Sequence, residues 1–151
     1  MSNSLKTGGQ TVKLLKILVF KIGHLFLGLQ IESVEKVISY TPVYGSGLSN
    51  LGIAHVGDQE ITVIDLHRKL FHGDRSYQEG YLMILQNSRG ESFGILVEDT
   101  PSLLEIPLSN LRLLPESYRH GDTLAIASHV TVVEQDQEKI TIFLLDIDQI
   151  I

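Results

Sequence analysis

Short runs of branched apolar residues follow one another along almost the whole chain, each closed within a few positions by Gly, Asn or Asp. That pattern admits strands and leaves room only for short helices. Residues 14–22 run into Gly23 and His24, and 25–31 return, which reads as a hairpin. Residues 51–56 and 60–64 pair around "GDQ", 81–86 and 91–97 around "NSRG", and 123–133 and 139–145 around "EQDQE". The stretch "SVEKVISY" fits a helical face through Val34, Val37 and Ile38, or a strand through its β-branched content. "TPVYGSGLSN" reads as a loop, and helical pieces fit only "LHRKLF", "PLSNLRLL" and "DIDQII". Many short strands at close spacing predict a mainly β sandwich or barrel. Residues 1–11 are polar with a Gly pair and read as a flexible N-terminal tail.

The chain also repeats itself. "GLQIESVEKVI" from Gly28 overlays "GILVEDTPSLL" from Gly94, so that Val37 meets Leu103. "VIDLHRKL" from Val63 overlays "LLDIDQII" from Leu144, so that Asp65 meets Asp146. Each half then reads hairpin, third strand, loop, second hairpin, Asp, short helix. This order predicts two similar small barrels, about 12–71 and 80–151, within one domain over 12–151. Neither is large enough to stand comfortably alone, so they should share a core.

Composition narrows the function. The 151 residues include no Cys, which excludes disulfides and thiolate metal sites. The net charge is −6, without a Lys/Arg cluster, and argues against nucleic acid or an anionic membrane as the main partner. Lys13 and Lys16 interrupt the first apolar run, and no stretch is long enough to span a bilayer, so a cytoplasmic protein is expected.

Catalytic constellations are thin. Asp65 and Asp146 each end an apolar strand ahead of a helical fragment, where an Asp caps the helix and suits its dipole. The second copy has Asp148 where the first has His67, so the His is not part of the repeated device. The six His residues lack the i, i+4 spacing of a zinc helix. Ser128 and His129 are neighbours on a strand and should point to opposite faces. No catalytic residue, metal or cofactor is expected. The alternative is a small ligand-binding or enzymatic β-barrel using His55, His67 and Asp65.

Four blocks, "LVFKIGHLFLGLQIESVEKVISY", "LGIAHVGDQEITVIDLHRKLF", "ILQNSRGESFGILVEDTPSLLEIP" and "ITIFLLDIDQII", together resemble the CheW-like domain family from about Val12 to Ile151. The resemblance implies two five-stranded β-barrels on a joint core, with short helical segments. It implies a non-catalytic chemosensory adaptor that binds a CheA-type histidine kinase and the cytoplasmic tip of a methyl-accepting chemotaxis receptor, without inserting into the membrane. The receptor-binding groove it implies takes Val34, Lys36, Val37 and Gly52 from the first half and Gly94, Thr100 and Leu103 from the second. A partner-surface turn is implied at His55, Gly57 and Asp58. There the family commonly has Asn-Leu-Arg-Gly, whereas this chain reads "HVGD" and lacks the Arg, and the usual Pro beyond the turn is Thr62. The departure bears on which kinase, receptor or motility pathway the chain serves.

Overall fold

The computed structural model describes residues 2–7, 10–45, 51–71, 79–119 and 125–150. The strands are β1 (Ser2–Thr7), β2 (Gln10–Ile22), β3 (Leu25–Gln30), β4 (Val34–Ser39), β5 (Val43–Gly45), β6 (Leu51–Val56) and β7 (Gln59–Ile64). They continue with β8 (Tyr81–Gln86), β9 (Ser92–Val97), β10 (Ser102–Pro107), β11 (Arg112–Leu113), β12 (Ala127–Gln135) and β13 (Glu138–Leu145). Two short helices, α1 (Leu66–Phe71) and α2 (Glu116–Arg119), and 3-10 turns at Ile31–Ser33, Leu108–Asn110 and Ile147–Gln149 join them. Of the ambiguous stretch at 33–40, Val34–Ser39 is therefore strand. Residues 2–7, read as part of a tail, form a strand antiparallel to the start of β2. Main-chain pairing needs no apolar side chains, so the polar composition concealed it.

The protein is mainly β, in two sheets of the same order. The first runs β10-β2-β3-β13-β12-β11, with β1 added on β2. The second runs β4-β8-β9-β7-β6-β5. The repeat is reproduced in the register. Leu144 lies opposite Gly28 where β13 and β3 pair in parallel, and Val63 lies opposite Gly94 where β7 and β9 do. Leu103 lies opposite Leu18, and Val37 opposite Met83.

Each sheet nevertheless draws on both halves of the sequence. The hairpin β2-β3 joins strands from the second half, and β8-β9 joins strands from the first. Chain length explains the exchange. Kept on the outer edge of β2, β4 would have to run parallel to β3 and begin beside its start, roughly 20 Å back for six residues. Three residues, Ile31–Ser33, separate the two strands, and such a link spans about 10 Å at most. β4 therefore goes on into the other sheet.

The exchanged hairpins are apolar on both faces. Leu15, Ile17 and Val19 of β2 point into the first barrel, while Leu18, Phe20 and Ile22 point into a core shared by both sheets. Leu82 and Ile84 of β8 fill the second barrel, and Met83 and Leu85 face the shared core. Burying such a side chain is worth roughly 1.5–3 kcal/mol, so the shared core is the main bond between the sheets. Gly28 and Gly94 sit at close approaches inside the barrels: a Cβ on Gly94 would lie 2.8 Å from Leu82 Cδ1, and one on Gly28 3.2 Å from Ile17 Cδ1.

Candidate partner-binding surface

β4 and β10 occupy equivalent edges. Among the described residues each pairs along one side only, β4 with β8 and β10 with β2. An edge strand presents unpaired main-chain groups and the outward rim of whatever core lies behind it. Val37 and Leu103 lie opposite shared-core residues, Met83 and Leu18, yet are 38% and 55% exposed. They carry the apolar face of the shared core out to solvent. Val34 is half-buried and packs against that core. A bulge between Val34 and Lys36 shifts the alternation, and Lys36 stands exposed opposite Ile84. Glu35 is tied down, its carboxylate accepting from the Ser92 hydroxyl at 2.7 Å.

The remaining residues that the resemblance assigns to a groove are more dispersed. Thr100 is exposed ahead of β10, at the rim of a shallow cavity of about 140 Å³ lined also by Lys21, Phe26, Asp99 and Leu104. Gly94 is buried in the centre of β9, so it serves packing and presents no surface to a partner. Gly52 lets β5 approach β6: a Cβ there would lie 2.5 Å from Val43 Cγ1 and 3.1 Å from the Tyr44 carbonyl oxygen. Val34, Lys36 and Val37 thus share one edge, and Thr100 and Leu103 belong to the other.

His55, Gly57 and Asp58 are exposed at the β6-β7 turn. The His55 ring lies 6.5 Å from that of Tyr44. Tyr44, Leu51 and Ile53 form an exposed apolar face beside it, which the sequence reading missed. The signal was present but two-sided. "LGIAHV" carries apolar residues at both parities, and only the fold decides that Ala54 faces inward.

Asp65 and His67 do not converge with His55. Asp65 Oδ1 accepts the Arg68 N–H at 3.1 Å, and its carbonyl accepts Lys69 N–H at 3.0 Å, which is the N-cap of α1. Asp146 Oδ1 likewise accepts the Asp148 N–H at 3.0 Å. The His67 ring packs 5.0 Å from that of Phe71, with Nδ1 buried and unpartnered. Among the described residues no group of three His, Cys, Asp or Glu is placed to hold a metal. Ser128 and His129 overturn one expectation: His129 Nδ1 lies 2.8 Å from Ser128 Oγ. A register shift between Ala127 and His129 interrupts the alternation that would have separated them.

Paired β-barrels of common topology are thus joined through exchanged hairpins and present apolar edges to solvent. The chain belongs to the CheW-like domain family, which matches residues 16–151. Its fold is similar to that of the scaffolding protein TtCheW from Thermoanaerobacter tengcongensis. The TM-score is 0.69 at 21% identity, over 85% of this chain and 88% of that one. Among the described residues no helix is long and apolar enough to cross a membrane.

Proposed function

We propose that this chain is a non-catalytic, cytoplasmic adaptor that couples the cytoplasmic tip of a chemoreceptor to a CheA-type histidine kinase through the kinase's regulatory domain. Membership of the CheW-like domain family supports a chemosensory adaptor role. The observation that carries the finer reading is the pair of equivalent edges, β4 with Val37 and β10 with Leu103, each bringing shared-core surface to solvent. An adaptor must hold two partners in fixed relative geometry. Stiff barrels with apolar rims meet that need, and tuned catalytic groups are not required. The receptor surface is assigned to the β4 edge, with Lys36 at its rim.

Rim charges act mainly on association rate and specificity. Lys36→Glu should therefore weaken binding of a receptor-tip fragment severalfold and leave the kinase regulatory domain nearly unaffected, as read by titration calorimetry. Equal losses for both partners, or none for either, would place the receptor surface elsewhere. The enzymatic alternative has no convergent cluster to rest on, because His55 lies by Tyr44 and His67 by Phe71.

A further inference from the structure

The helical elements that close the two repeats do one job with different chemistry. α1 follows β7 of the second sheet, and its Phe71 ring lies against the β2-β3 turn of the first. The His24 and Phe71 rings are 5.2 Å apart, and a Cβ on Gly23 would lie 2.7 Å from Phe71 Cε2. The 3-10 turn Ile147–Gln149 follows β13 of the first sheet, and its Asp148 reaches the β8-β9 turn of the second. Asp148 accepts the Ser88 N–H at 2.9 Å and the Ser88 hydroxyl at 2.7 Å. Each element thus clasps the hairpin that its own sheet lacks, and Asp148 stands where the first repeat has His67.

The turn held by Asp148 is itself well built. Asn87 Oδ1 accepts the N–H groups of Arg89 and Glu91 at 3.0 and 2.9 Å. Glu91 Oε1 accepts from Asn87 Nδ2 at 3.0 Å and from Arg89 Nε at 2.7 Å. The C-terminal segment has a second anchor, since Lys69 Nζ of α1 donates to the Ile150 carbonyl at 3.1 Å, and the Ile150 side chain is buried in the shared core. One clasp is therefore a contact of rings. The other is a half-buried carboxylate on Ser88, with Arg89 and Glu91 near it on the turn and Asp146 bonded to its own N–H.

We propose that the C-terminal turn is a latch. Asp148 lets go of the Ser88 turn, and Ile150 of the shared core, in one local opening that leaves both sheets folded, and the charge on Asp148 sets how often this happens. Sub-global opening of a short element that lies outside the sheet hydrogen bonding is physically ordinary. What is particular here is that one carboxylate joins this turn to the exchanged hairpin.

Amide hydrogen exchange by NMR on the full chain at neutral pH tests this. Asp148→Asn keeps an acceptor oxygen but removes the charge. It should speed exchange at Ser88 and at residues 148–150 at least tenfold, with the central β9 amides unchanged. Lys69→Met removes the other anchor and should speed the same two groups of amides together. Uniform acceleration across the sheets, no acceleration in Asp148→Asn, or acceleration of residues 148–150 without Ser88 in Lys69→Met would each overturn the latch.

Discussion

Gly23 and Gly57 occupy the same position in two-residue turns, with φ of +59° and +61°. An Ala at either place meets the left-handed penalty, about 1–2 kcal/mol. Only Gly23 is also covered by a ring, whereas nothing lies within 4 Å of a Cβ on Gly57. Gly23→Ala should therefore cost more than Gly57→Ala in denaturant unfolding, and equal costs would show that the Phe71 contact contributes nothing. The same geometry bears on the missing Arg: Gly57→Arg has room for its side chain, and its cost is backbone strain. Asp65→Ala should cost about 1 kcal/mol of stability through the lost cap, with partner binding unchanged well below the melting temperature. That cap was legible because an Asp between an apolar strand and a helical fragment has few other uses. The Ser128–His129 contact was not, because a bulge leaves no mark in a strand of such composition.

Elements were legible where both faces are buried. β2, β8 and β9 read as near-continuous apolar runs because one face fills a barrel and the other the shared core. β1 and β5 were not, since each lies at an edge and pairs with one neighbour. The β8-β9 turn has its own pH signature. Hydrogen bonds from the Ser88 hydroxyl and N–H hold Asp148 below the usual carboxylate range. The Asn87 amide, and then Arg89, do the same for Glu91. A carboxyl with a lowered folded pKa stabilises the fold fully above its unfolded value, about 4, and the contribution is lost as pH falls through the folded value. The Ser88 amide signal should thus hold steady from neutral pH to about 4 and shift only below that. A midpoint between pH 5 and 7 would rule these carboxylates out as the cause.

At the scale of the molecule, the repeat was visible but its exchange was not. Hairpins pair locally and announce themselves, whereas both halves carry the same alternation, so either hairpin fits either sheet. The answer lay in the short link after β3. A chain divided between the repeats should accordingly give two fragments that are each unstructured alone and that recover the β circular-dichroism signal on mixing, one to one. Fragments that fold separately would show that the exchange is dispensable. Of the residues proposed for the groove, Val37 and Leu103 are exposed at equivalent edges and Gly94 is interior, because a family position records packing as readily as contact. The adaptor role is tested most directly by bridging. With a CheA-type regulatory domain immobilised and a receptor-tip fragment in solution, the fragment should be retained in proportion to this chain, and Lys36→Glu should reduce that retention while the chain itself stays bound. Mutual exclusion of kinase and receptor, or retention indifferent to the chain, would end the coupling model.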